Sequence, residues 1–408
     1  MYVQTGVRRE IFGTGENLLI CGDARKPPRE VRALAGQVQC VYLDPPFMTG
    51  EKFRRKRPYG EKGWRSGSPN LILEGFTDRF ADEKAYLLFL RRLVTVGRDL
   101  LGREGVFCLH LDWRMSARGR ILCDRIFGKE LFLNEIIWAY ESGGRNKRCF
   151  SRKHDTLLLY ARSPEYRFDL TRVPLERKDY RRNHMSRMTD GDGRTYSSIR
   201  SNGKEYRYYD DEPVYPGDVW TDIGFLQQKD PERTGYPTQK PRKLLERVLG
   251  PVVRPGDLVA DLCCGSGTAL AAAEGLGCRY LGMDISPEAV AVCRNRLKGE
   301  NLTVICDTEQ DGVDVLADYD PGAGRLRMGG LALRGPEWPE KANPEDLTEA
   351  WAAGKIARGT FRIDRQYQRS FQYPALIDSL EIPRDEIPDL LLTDAAGVRR
   401  AYRWREEP

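Results

Sequence analysis

The chain has 408 residues, 40% of them apolar and 31% charged, with 66 basic against 60 acidic side chains. That balance excludes an intrinsically disordered polymer, and no apolar run reaches the length of a membrane span. The N-terminus shows no secretory core with a cleavage site. Ten scattered cysteines without a CxxC pair and three distant histidines offer no metal set, so no metal and a reducing cytoplasm are expected.

In chain order, NLLICGD at 17–23 reads as a strand ending in a turn at Asp23, and VQCVYLD at 38–44 as a second, buried strand. The prolines of DPPF, Asp44, Pro45, Pro46 and Phe47, force the chain out of the sheet. Asp44 and Phe47 then project from a stiff loop at a strand end, where open α/β sheets keep their sites. A carboxylate accepts hydrogen bonds from an exocyclic amine, and an aromatic ring stacks on a planar base. A helix is predicted from Asp82 to about Leu101, with Gly102 as its stop, then a strand over 105–112 and a helix over 115–127. Further strands are predicted at 134–140 and 153–163. Basic residues crowd 51–65 and roughly 145–207. The second stretch is interleaved with Tyr180, Tyr196, Tyr206, Tyr208 and Tyr209, a pattern suited to phosphates and bases, against an ordinary solvated surface as the alternative.

Periodicity decays between 164 and 215 and returns at YPTQKP, 236–241, where Pro241 opens a helix. DLCCGSGT, 261–268, places Asp261 at a strand end and Gly265, Ser266 and Gly267 in a tight turn before a helix beginning at Thr268. The next strand ends in GMDIS, which sets Asp284 where a carboxylate grips ribose hydroxyls. No third glycine stands at dinucleotide spacing and no lysine follows the glycine run. The turn therefore points to a mononucleoside-type cofactor, with dinucleotide binding or a plain structural turn as alternatives. The vicinal Cys263 and Cys264 read as small apolar fillers. Beyond 310 the texture changes to glycine, proline and aromatic residues with a helix expected at 345–353 and no chemical constellation.

Together DPPF, YPTQKP, DLCCGSGT and GMDIS, with NEIIW at 134–138 and SRKHDTLLLY at 151–160, resemble the permuted β group of DNA amino-methyltransferases over most of residues 15–300. The resemblance implies an open, mostly parallel, doubly wound α/β sheet of the S-adenosylmethionine-dependent methyltransferase type, with a small recognition insert and a C-terminal extension. It implies a catalytic half at 1–163, a target-recognition insert at 164–215, a cofactor half at 216–309, and a structural or interaction extension at 310–408. Asp44, Pro45, Pro46 and Phe47 would form the pocket for a flipped base. Asp23, Lys240, Pro241, Asp261, Gly265, Ser266, Gly267, Thr268 and Asp284 would serve S-adenosylmethionine, with Asp307 the rival to Asp23 at the cofactor adenine. The chain departs from the family's DPFCGSGT at Leu262 and Cys263, which thins the apolar cover over the cofactor and leaves the glycines intact.

The implied reaction is methylation of adenine N6 in DNA. Cytosine N4, an RNA amine, and a DNA-recognition module without transfer activity are the alternatives. Double-stranded DNA is the implied partner; a cognate restriction nuclease and a second copy of the chain are left open, and no membrane association is expected.

Overall fold

The computed structural model describes residues 1–62, 70–141, 146–175, 185–297, 301–320, 323, 325–333, 338–339, 342–369, 375–376, 379–381 and 387–405, with 54–58, 73–76 and 379–381 given by backbone alone. Arg177, Lys178, Tyr180, Arg181, Arg182 and the 63–65 end of the first basic run lie outside the described residues.

Eight strands carry the site: β1 (Asn17–Cys21), β2 (Val38–Leu43), β3 (Leu101–Asp112), β4 (Phe132–Ala139), β5 (His154–Ala161), β6 (Leu258–Asp261), β7 (Arg279–Asp284) and β8 (Leu302–Ile305). In space they run β8-β1-β7-β6-β2-β3-β5-β4. The first six are mutually parallel, and β5 is antiparallel to both neighbours. All six residues of β2 are buried, because both faces of a parallel sheet are covered by crossover helices. Period-two alternation assigns them: Cys40 and Tyr42 pack on one core, Val41 and Leu43 on the other.

The second core belongs to α1 (Glu83–Leu100) and α2 (Ser116–Phe127), the first to α3 (Arg242–Leu249), α4 (Thr268–Gly275) and α5 (Pro287–Arg296). Asp82 caps α1 by accepting from Ala85 N at 2.7 Å, and Ser286 caps α5 at 3.3 Å. Gly102 does not end α1. The helix stops at Leu100, and β3 starts at Leu101, four residues before the expected 105, pairing with Val38.

The segment 164–215 contains an antiparallel sheet of Ser186–Thr189, Thr195–Ser201 and Lys204–Tyr209. The chain leading into it is pinned to the main domain by Arg167, which bonds Glu104 at 2.8 Å and Asp257 at 2.6 Å. The helix expected at 345–353 is a single turn, Pro344–Leu347, followed by the strand Thr348–Ala357. That strand lies between Thr360–Gln368 and Asp389–Asp394 with seven of its ten residues buried in an unbroken run from Thr348. Its alanines favour helix, but sheet packing on both sides decides.

The N-terminal strand Arg9–Phe12 is antiparallel to β8 and parallel to Thr360–Gln368, so it joins the C-terminal region to the main sheet. Tyr2–Thr5 pairs with Arg399–Trp404. Tyr2–Thr5 thus pairs with the region beyond 310, while Arg9–Phe12 bridges that region to β8.

Candidate active site

Strands β1, β7, β6 and β2 end side by side, with Asp284 opposite Cys21 and Asp261 opposite both Gly282 and Tyr42. The loops that follow them enclose one cavity of about 520 Å³, whose lining includes Asp23, Asp44, Phe47, Asp261, Gly265 and Asp284. Its size and apolar walls suit a drug-sized ligand.

On one side lies the DPPF loop. Asp44 accepts from Lys240 Nζ at 2.7 Å, and the same ammonium stands 5.1 Å from the centre of the Phe47 ring. Lys240, expected among the cofactor contacts, is therefore bound to the DPPF side. The loop is held by a residue that sequence reading missed. Buried Asp78 accepts from Phe47 N at 3.1 Å, Met48 N at 2.7 Å, Thr49 N at 3.0 Å and Thr49 Oγ1 at 2.8 Å. This carboxylate anchors three successive amides while Met48 takes a left-handed φ of 59°.

Beneath Phe47 runs a second unforeseen network. Tyr42 Oη and His110 Nδ1 are 2.7 Å apart, His110 Nε2 and Asp155 Oδ2 3.1 Å, and Tyr140 Oη donates to Asp155 Oδ1 at 3.0 Å. Burial works against the Asp155 charge, but the bonds and charge of His110 outweigh it and hold the carboxyl below its usual range. The available signal was a polar residue, His110, within the buried run of β3.

On the other side lies the glycine loop. Gly265 has φ +48°, and a Cβ there would come within 3.1 Å of the Tyr236 ring. Its N–H donates to Asp284 Oδ2 at 2.9 Å, and Ser286 N donates to Oδ1 at 2.9 Å. Burial nevertheless pushes the Asp284 carboxyl up. Asp261 goes well above the ordinary carboxylate range, first through burial and then through the nearby charges of Asp44 and Asp284, against one bond from Cys263 N. Burial thus favours the neutral form of both carboxyls in the free protein, and a ligand that brings hydroxyls or positive charge to them would favour their ionised form.

Ser266 and Thr268 line the cavity, and Thr268 ties the loop to YPTQKP by donating to Lys240 O at 3.2 Å while accepting from Arg296 at 2.8 Å. Gly267 and Pro241 do not line it. Gly267, φ +73°, packs against Cys293, and Pro241 is the N-cap of α3. Asp23 is in the lining, bound by Arg25 through two bonds of 2.8 Å, whereas Asp307 is exposed and outside it. Pro45 and Pro46 form wall beside Phe47.

Several known proteins resemble this chain. The Type II methyltransferase M.EcaI of Enterobacter cloacae is 26% identical over 300 residues, covering 61% of this chain and 62% of its own. M1.MboII of Moraxella bovis is 30% identical over 225 residues, 52% of this chain and 80% of its own. The chain thus spans under two thirds of M.EcaI, and only 42% of M.BglII of Bacillus subtilis. Among solved structures, a DNA modification methylase from Thermus thermophilus, complexed with S-adenosyl-L-methionine, superimposes with a TM-score of 0.43 at 18% identity over 71% of this chain and 96% of that one. The model of the N6/N4 amino-methyltransferases, described as DNA methylase, matches residues 38–295, well over half the chain; the protein belongs to that family.

Proposed function

We propose that the protein transfers a methyl group from S-adenosylmethionine to the N6 amine of adenine in duplex DNA. The observation that carries this reading is the facing of two unlike halves across one cavity: Asp44 and Phe47 on one wall, Gly265 and Asp284 on the other. Asp284 would hold the cofactor's ribose hydroxyls, the glycine turn its backbone, Asp23 its base, and Asp261 the positively charged end. When bound, the cofactor supplies an electrophilic methyl on a sulfonium.

The chain's own residues do the rest. Asp44 accepts a hydrogen bond from one amine N–H and so orients the nitrogen lone pair, and Phe47 stacks on the ring. Orientation of this kind supplies several kcal/mol of the barrier (about 7–11 at the well-aligned limit). Lys240 already satisfies both the Asp44 carboxylate and the Phe47 face, so an arriving base displaces it. The proton leaves from the alkylated, acidic amine to solvent. No base need take it in the transition state.

Adenine is preferred because aspartate heads the motif and because one relative, 24% identical over 297 residues, is the DNA adenine methyltransferase YhdJ of Escherichia coli. Similarity to the EcoPI and EcoP15I Mod subunits supports a place in restriction-modification beside a cognate nuclease. The test is mass analysis of nucleosides from DNA incubated with the protein and labelled cofactor. N6-methyladenine is expected; N4-methylcytosine would replace the base assignment, and labelled RNA alone would replace the polymer. Asp44→Ala is expected to cut transfer by about 10²–10³-fold with cofactor affinity unchanged, as measured by calorimetry.

A further inference from the structure

The loop from Tyr140 to Lys153 joins β4 to β5 on the same edge of the sheet as the cavity. Its base is closed by Tyr140 N donating to Lys153 O at 3.0 Å. Its tip is braced by Asn146, which accepts from Arg148 N at 2.9 Å and donates to Ser151 Oγ at 3.2 Å. Residues 146–152 are exposed, and Phe150 is 99% exposed. The tip sequence NKRCFSRK has four basic residues and no acidic one. Beside it Trp113, at the exit of β3, is 40% exposed and approached by two guanidiniums, Arg152 at 3.7 Å and Arg114 at 4.9 Å from its ring centre, the second also paired with Asp112.

A lone exposed aromatic needs no explanation. Position and charge set these apart. Arg152 lies three residues before Asp155, whose carboxylate holds His110 under Phe47, and Trp113 follows Asp112, the register partner of Asp155. The recognition insert is different: its Arg187, Arg194 and Arg207 are engaged by Asp210, Asp211 and Glu205. The 146–152 tip itself carries three cations and no acidic residue, around an apolar ring that none of the described residues covers.

We propose that the 146–152 tip is the element that opens the duplex: Phe150 enters the base stack where the target base leaves it, while Arg152, stacked on Trp113, holds a flanking phosphate. An apolar wedge replaces lost stacking and keeps the vacated gap closed, and stacked guanidiniums present their N–H edges outward. The proposal rests on the methyl-transfer reading.

The test uses the full chain and a duplex containing the site that the wild type methylates, with 2-aminopurine at the target in a parallel set. Phe150→Ala is expected to lower both the 2-aminopurine signal and the transfer rate by at least about ten-fold, with S-adenosylmethionine affinity unchanged and Phe150→Leu largely restoring both. On a duplex whose target base is mispaired, and on single strands, the deficit should shrink, because less stacking has to be broken there. Arg152→Gln should reduce the salt dependence of binding by about one ion. Wild-type transfer by Phe150→Ala on the paired duplex, or an equal deficit on paired, mispaired and single-stranded DNA, would overturn the wedge and leave the methyl-transfer reading standing. Absence of transfer by the wild type would bring down both.

Discussion

Asp78 shows how one side chain sets the shape of a loop it does not belong to. It accepts three backbone amides and a hydroxyl from residues 47–49. Truncation to alanine would leave three part-buried amides without that acceptor, at up to about 1–3 kcal/mol each where water does not replace it. We expect Asp78→Ala to retain cofactor affinity and lose most transfer activity, seen as a fall in kcat rather than a rise in cofactor KM. Asp261 and Asp284 make a second prediction. Burial raises both carboxyls, so their contribution to the free protein's stability is full below the ordinary carboxylate range and is lost as pH rises through the raised values. A ligand that donates hydroxyls to the ionised oxygens reverses that penalty and releases protons on binding. The gain in Tm from S-adenosylmethionine should therefore grow from acid to neutral pH, and a gain independent of pH would contradict the assignment.

The glycine turn and α5 act as one element. Gly267 has no room for a side chain: a Cβ would lie 2.8 Å from Cys293 Sγ, and φ is +73°. Gly267→Ala is expected to destabilise by about 1–3 kcal/mol through strain and overpacking, with a matching fall in Tm. Cofactor affinity should fall as well, because Gly265 and Asp284 are set by the same turn. Elements of this kind were legible in the sequence, since strand, glycine turn and capped helix are local signals within 258–296. The anchoring of DPPF was not. Asp78 meets its amides 29 to 31 residues away in sequence, and no local pattern encodes such a contact. The Lys240–Asp44 pair spans 196 residues and was hidden for the same reason. Beyond 310 propensity misled, because burial between two strands overrode an alanine-rich helical bias.

At the scale of the whole molecule, the extension and the methyltransferase sheet are stitched by the strand Arg9–Phe12. Its Glu10, 1% exposed, is engaged by Arg294 of α5 and by Arg399 of the extension. Burial alone would lift this carboxyl, but the two guanidiniums hold it below the usual range. Its stabilisation is thus present above the ordinary glutamate range and is lost as pH falls through the lowered value. Glu10→Gln leaves the buried Arg399 and the part-buried Arg294 with a neutral partner, at a cost of up to about 3–5 kcal/mol. A marked fall in Tm at neutral pH that narrows in acid is expected by calorimetry. An unchanged pH profile would show that the triad contributes nothing to joining the two regions.

The backbones of Met1 and Arg405 are hydrogen-bonded to one another, Met1 N to Arg405 O at 2.7 Å and Arg405 N to Met1 O at 2.9 Å. The pair continues inward as Tyr2 against Trp404 through Thr5 against Ala401. Tension applied at Tyr2 and Trp404 would therefore part the two strands one rung at a time, and mechanical opening of this side of the sheet would run as a zipper rather than a shear.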